Sequence, residues 1–507
     1  MVSRVLGLVR EMTKAAFLGT SALSDAFTVA FFIPNLLRRL FAENSISVAF
    51  VPTFRACVDR DSSARIRDFL SSMLTVVSFA TALTVAAGIA FTPLIVPFFG
   101  TSADETVLLT RIMFPYLAII SVAAFFQGIL NGVRVFSPSG FTPILFNLAV
   151  IGFTWFFSRA VGNPARAMAI GVIAGGTAQA AFQIPFVLKQ GFRFRFVSPK
   201  TAFADPDTRR VLALIGPTVI GMAAYQVNDL VSSILASNAG TGVVSSLQYS
   251  LRLQELILGI FAVSIGTVIL PDLSSHAAKA DWRPFNDLLS RAMNTIALIT
   301  IPVTFYSLAN GESLIVLLFK TREFSDESVA LTLSAFNWHV CGLYFIALNR
   351  IVSPAFYARK DTKSPTWAGI GSFACNIPLA LLLVGPMRGG GIALALSLAS
   401  AVNTVLLFVF LSRSEEIDVR SLIASTVRYA LKIAAFSVAA TWVMARAAEP
   451  VRARFAGMSR IAANGIPLAV NLAVFGAVGI ALLAVTRDPL LSSLAGRVTR
   501  NKTPVGE

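Results

Sequence analysis

MVSRVLGLVREMTKAAFLGTSALSDAFTVAFFIPNLLRRLFAENSISVAFVPTF (residues 1–54) reads as two membrane helices, yet it contains Arg4, Arg10, Lys14, Asp25, Arg38, Arg39 and Glu43. Runs of Leu, Val, Phe and Ala between these charges are apolar enough for lipid. A charged side chain at the bilayer centre costs about 2.5–3.5 kcal/mol on insertion scales, and several together cost on the order of 10 kcal/mol. That cost is avoided only where the charges face water, an opposite charge or an anionic ligand. Cations outnumber acids here, so the ligand they suit is a polyanion held at membrane depth.

Composition agrees with a membrane chain. Of 507 residues, 55% are hydrophobic and 13% charged, against about 25% charged in a soluble domain. The formal charge of +16 resides in short loops between apolar runs, where Lys and Arg orient helices and attract anionic lipid rather than nucleic acid. Cys57, Cys341 and Cys375 lack metal-ligand spacing and form no disulfide framework. His276 and His339 lie far apart. Neither a metal site nor histidine acid–base chemistry is expected, and the first apolar run lacks the charged start and cleavage site of a signal peptide.

Apolar runs long enough to cross a bilayer predict an all-α polytopic protein with about fourteen transmembrane helices. The expected spans are 1–19, 24–54, 69–98, 107–133, 141–160, 166–188, 210–236, 243–271, 286–309, 329–356, 366–385, 389–412, 421–446 and 461–486. Two similarities suggest duplication: LFAENSISVAFVP (40–52) resembles GIFAVSIGTVILP (259–271), and the Ser-Pro of NGVRVFSP (131–138) has a partner in YARKDTKSP (357–365) at a similar offset. The expected organisation is a six-helix lobe over 1–190, a second over 208–413, two further helices over 421–486 and a tail over 487–507. Lys and Arg concentrate in alternate loops, which puts both termini in the cytoplasm. The arginines of RAAEPVRARFAGMSR (446–460) are the exception, falling outside. No loop has room for a soluble catalytic domain.

On the first helix Ser3, Gly7, Arg10 and Lys14 share one stripe, and Arg4 and Glu11 a second about 100° round. In the second, Arg38 lies at depth just past Pro34-Asn35, where proline removes a backbone hydrogen bond and suits a cavity lining. The eighth helix carries Arg252 and Glu255 at i,i+3, either a self-satisfied pair or a cavity group from the other lobe. Arginine stays charged and grips phosphate oxygens bidentately, so a cationic cavity between lobes would hold a diphosphate while lipid chains stay in the bilayer. Asn228 and Asp229 in the seventh helix and Asn376 in the eleventh are candidates for a coupling cation or proton, or for interhelical hydrogen bonds.

These residues carry a resemblance. SRVLGLVRE (3–11), SDAFTVAFFIPNLLRRLFAENSISVAFVP (24–52), YSLRLQELILGIFAVSIGTVILP (249–271) and FYARKDTKSP (356–365) are similar to the MurJ/MviN lipid II flippase family. That family belongs to the multidrug/oligosaccharidyl-lipid/polysaccharide exporter superfamily. The resemblance implies two six-helix lobes around a cationic cavity, and movement of lipid II, the undecaprenyl-diphosphate-linked peptidoglycan precursor, from the inner to the outer leaflet of the bacterial cytoplasmic membrane. It implies substrate-binding roles for Arg4, Arg10, Arg38 and Arg252, with Ser3, Asp25 and Glu255 beside them, and a groove for the lipid tail at the last two helices. Two features depart from the pattern. The family has a longer segment ahead of the Ser3-Arg4 pair, so the first helix is expected to be short. Where the seventh helix often has an acid six residues after Gln226, this chain has Ser232, with Asp229 one turn earlier.

The mechanism expected is alternating access, with lipid II and membrane lipids as partners, no metal or cofactor, and coupling to membrane potential or a monovalent cation. Asp25 and Glu255 would hold arginines in place and ease release. Rival readings are an exporter of another diphosphate-linked glycan or of drugs, which a cationic cavity disfavours if they are cations, and a membrane enzyme acting on polyprenyl diphosphates. The enzyme would want paired carboxylates, for which Asp59-Arg60-Asp61 is the only loop candidate. The sequence leaves the oligomeric state open.

Overall fold

The computed structural model describes residues 2–39, 49–100 and 103–492, without the side chains of 103, 217–225 and 260–268. The described residues are mostly helical, joined by short turns and by one extended stretch at 192–198. In chain order the helices are α1 (Val2–Leu18), α2 (Ala22–Arg38), α3 (Val51–Arg60), α4 (Ser63–Ile95), α5 (Ala103–Met113), α6 (Pro115–Gly132), α7 (Ser137–Val161), α8 (Pro164–Lys189) and α9 (Pro199–Ala204). There follow α10 (Pro206–Asn238), α11 (Val243–Ala278), α12 (Trp282–Phe319), α13 (Asp326–Cys341), α14 (Leu343–Ala358), α15 (Lys363–Met387), α16 (Gly389–Leu411), α17 (Val419–Phe455) and α18 (Arg460–Val485).

Nine of the described helical segments are long and apolar enough to cross a membrane, and α13 with α14, bent by 41° at their junction, makes a tenth. The four other expected spans fall on α1, α2 with α3, α10 and α11. A total of about fourteen is consistent with this pattern. The first member of the internal repeat, 40–52, lies mostly outside the described residues, as does Glu43.

Many helix starts are set by side chains that accept otherwise orphaned amides. Ser21 accepts from Ser24 N, Ser62 from Arg65 N, Asn163 from Ala165 and Arg166 N, Asp205 from Thr208 N, and Asp418 from Ser421 N. Pro34 sits inside α2 without ending it.

The chain forms two compact units, Met1–Tyr249 with Thr321–Ser328, and Ser250–Lys320 with Val329–Glu507. In the first, an aromatic core joins Phe50, Phe54, Phe69 and Phe125, with ring centroids 5.2–5.8 Å apart. Lipid gives helices little hydrophobic reason to associate, so close packing has to supply it. Gly175 and Gly176 of α8 provide it here: a Cβ at Gly175 would sit 2.9 Å from the Phe146 ring, and one at Gly176 2.7 Å from that of Tyr116. In the second unit Phe285, Leu289, Met293, Leu343, Ile351 and Phe356 form the core.

The long polar stretch 189–210 is well anchored. Extended chain runs along α4, where Arg195 N donates to Ser71 Oγ and Val197 N to Thr75 Oγ1, both at 3.1 Å. Beyond α9, the Arg65 guanidinium forks onto Asp205 and Asp207, the latter at 2.5 Å. Arg65 holds the Asp205 carboxyl below its usual range against the opposing effect of burial, helped by Thr208 N–H.

Candidate functional site

The first unit contains a pocket within the bundle of α1, α2, α7 and α8, with Gln248 of α11 also in its lining. Phe27, Phe31, Phe146, Val150, Met168 and Val172 make its walls apolar, and Arg10, Glu11 and Lys14 supply all the charge in its lining. Two cations face one acid, so the lining is net positive. This follows from the helical stripes of α1, which bring Arg10 and Lys14 to one side and turn Glu11 inward.

Arg10 donates to Glu11 Oε1 at 2.7 Å and lies over the Phe146 ring, 5.7 Å from its centroid. Lys14 is only 4% exposed. Its Nζ donates to Thr28 Oγ1 at 2.5 Å and sits 4.9 Å above the Tyr249 ring. Tyr249 in turn donates to Gly19 O at 2.9 Å. Arg4 is exposed near the start of α1, and Ser3 beside it accepts from Asn147 through its backbone oxygen at 3.4 Å.

Asp25 is placed differently from expectation. Rather than steadying an arginine, its buried carboxylate accepts from Gly242 N at 2.5 Å, Ser245 N at 2.9 Å and Ser245 Oγ at 2.6 Å. These are the first-turn donors of α11, where a helix start favours negative charge. The sequence holds a signal for this: Gly240-Thr241-Gly242 before α11 offers bare amides with no Ser, Thr, Asn or Asp at Gly242 to cap them.

Two neighbours at the end of α2 divide their work. Arg38, half-buried, donates from Nε to Asn35 Oδ1 at 2.7 Å. Arg39 pairs with Asp229 at 3.0 Å, so the carboxylate considered for cation coupling already has a guanidinium beside it. Asn228 is buried next to it, whereas Asn376, also buried, belongs to the second unit. In that unit Arg252 donates to Glu255 at 3.0 Å, the i,i+3 pair read from the sequence, with Glu255 largely exposed. His339 is fully buried, its Nδ1 2.5 Å from Ser250 Oγ.

Asp59-Arg60-Asp61 makes no paired-carboxylate centre. Arg60 binds Asp61 through two bonds of 3.0 and 2.9 Å. Cys57, Asp61 and Asp207 bring their ligand atoms within 4.8 Å of one another, but Arg60 and Arg65 already neutralise both carboxylates.

Among the described residues, a bundle of long apolar helices enclosing a net-positive pocket defines a polytopic membrane transport protein. The chain belongs to the lipid II flippase MurJ family, whose model matches residues 14–458. It is 48% identical to the probable lipid II flippase MurJ of Treponema pallidum over 96% of this chain and 94% of that protein. The corresponding protein of Buchnera aphidicola is 32% identical over 84% and 86%. Among solved structures, a lipid II flippase MurJ in an inward closed conformation superposes with a TM-score of 0.79 at 25% identity, over 96% of this chain and 98% of that one. An inward-facing multidrug resistance MATE family transporter of the MOP superfamily shares the fold, with a TM-score of 0.68 at 12% identity.

Proposed function

We propose that this chain moves lipid II, the undecaprenyl-diphosphate-linked peptidoglycan precursor, from the inner to the outer leaflet of the bacterial cytoplasmic membrane. It is a transporter and not an enzyme. The observation that carries the reading is the family membership over nearly the whole chain. The net-positive pocket of Arg10, Glu11 and Lys14 at membrane depth supports it. A diphosphate is the anion such a pocket attracts, and guanidinium groups hold it by charge-assisted pairs of bonds.

In this reading Arg4, Arg10, Arg38 and Arg252 grip the diphosphate, with Ser3 and Glu255 nearby. Asp25 acts on the helix that carries Arg252, through the start of α11. The lobes are 1–190 and 208–413, with 421–486 appended, and they alternate access about the midplane; both termini face the cytoplasm. Asp229, Asn228 and Asn376 are the groups for any coupling cation, although Arg39 has to leave Asp229 before a cation can take it.

Complementation of a strain depleted of its own lipid II flippase tests the proposal, comparing the parent with Arg38→Ala and Arg252→Ala at matched membrane levels. Rescue by the parent and loss of rescue by both variants is expected. Rescue by all three would reduce these arginines to structural charges. A parent that fails while present in the membrane would refute lipid II as substrate.

A further inference from the structure

Asp229 of α10 lies inside a span expected to cross the membrane, where a charge needs a partner. Its Oδ2 accepts one bond, from Arg39 Nη1 at 3.0 Å, and both side chains are partly exposed. Among the described residues no other charged side chain acts on it. Arg39 directly follows α2 and keeps helical backbone, its amide bonded to Asn35 O and Leu36 O. The guanidinium is therefore delivered to α10 from a helical stem. Both residues belong to the first unit.

The surroundings of Asp229 are those of a small-cation site. Gln226 lies one turn earlier on the same face of α10, 4% exposed, and its Oε1 accepts no hydrogen bond among the described residues. Ser233, one turn later and half-buried, adds a hydroxyl to that stripe. Carboxylate, amide and hydroxyl oxygens are hard donors that suit a hard cation. With one carboxylate among them, a monovalent ion leaves the group neutral, whereas a divalent ion leaves it charged. A guanidinium, always protonated, supplies the same neutrality without leaving the chain. It meets one oxygen of Asp229 and leaves the Gln226 amide oxygen without a donor.

We propose that Gln226, Asp229 and Ser233 form a latent monovalent-cation site, and that Arg39 fills it as a tethered counter-ion. Held by the chain, this cation is not exchanged for one from solution. Sodium reaches Asp229 only when the Arg39 guanidinium is withdrawn or removed. The inference goes beyond the transport reading, and its test uses no transport.

Equilibrium binding of radioactive sodium to the purified full-length protein tests it, with Asp229→Asn as the baseline for sodium bound elsewhere. The parent and Arg39→Lys are expected to match that baseline, because each keeps a tethered cation. Arg39→Gln should bind sodium roughly tenfold more tightly or better, and adding Asp229→Asn should abolish the gain. Thermal unfolding supplies a second reading. In N-methyl-D-glucamine chloride the midpoint of Arg39→Gln should fall below that of the parent, and sodium chloride of the same strength should restore it. The double variant should show no such response to sodium. Sodium binding by the parent above the Asp229→Asn baseline would overturn the tethered cation, and a folded Arg39→Gln chain that binds no more than baseline would overturn the site. If Arg39→Gln fails to fold, recovery on adding Asp229→Asn supports the pairing, and continued failure refutes it.

Discussion

Asp25 shows how one buried carboxylate can hold the start of a helix distant from it in sequence. Three donors from the start of α11 converge on it, and hydrogen bonds to a charged acceptor contribute about 1.5–3 kcal/mol each. Asp25→Asn keeps the shape but turns an amide toward a backbone N–H, while Asp25→Ala leaves buried donors unsatisfied at about 1–3 kcal/mol each. Thermal unfolding of the purified protein should therefore show a lowered midpoint for Asn and a lower one for Ala. An unchanged midpoint in both would mean that the start of α11 contributes nothing to stability through this residue. Lys14 has a comparable standing: its bond to Thr28 and its position over Tyr249 tie α1 to α2 and α11.

At the scale of elements, the 189–210 segment illustrates a loop held by side chains rather than by secondary structure. Arg65 is its anchor at the α4 end, through Asp205 and Asp207. Arg65→Gln is expected to free the segment and speed tryptic cleavage at Arg195 and Lys200; equal cleavage rates in the variant and parent would show that Ser71 and Thr75 suffice. The pH dependence has a definite sign. Asp205 has a folded-state pKa below its ordinary value, with burial opposed and outweighed by Arg65 and Thr208. Its contribution is present above the ordinary carboxylate range and is lost as pH falls through the depressed folded value. Amide hydrogen exchange over 192–205, corrected for intrinsic rates, should lose protection as pH drops below about 4; protection unchanged down to pH 2 would contradict this.

The whole molecule raises the question of energy. In the proposed mechanism, a cationic pocket carrying a diphosphate from one leaflet to the other would move charge whenever the two do not cancel. Each uncompensated charge crossing the membrane is worth about 2.3 kcal/mol per 100 mV. Flipping measured in vesicles with potentials of either sign imposed by a potassium gradient is expected to differ in rate. Identical rates would mean that the moving assembly is electrically neutral and that potential is not the source.

Much of this architecture was legible in the residues themselves. The apolar runs that mark α4, α7, α8, α15, α16 and α18 are local, because the bilayer requires each span to satisfy its own backbone and to be apolar along its length. Arg10 and Lys14 were legible as one stripe by helical periodicity, and Arg252 with Glu255 by i,i+3 spacing. Partners distant in the chain were not. Nothing in the sequence singles out Arg39, rather than Arg38, as the ion-pair partner of Asp229, since adjacent residues diverge by 100° and tertiary packing selects which one meets α10. The assignment of Thr321–Ser328 to the first unit, far from its neighbours in sequence, has the same origin. Sequence by itself determined that this is a helical membrane protein with cations at depth, because burial in lipid is decided residue by residue. Only the tertiary structure decided which acid each cation meets and that Asp25 serves a helix start, because a charge is satisfied by whatever the folded chain brings within about 4 Å of it.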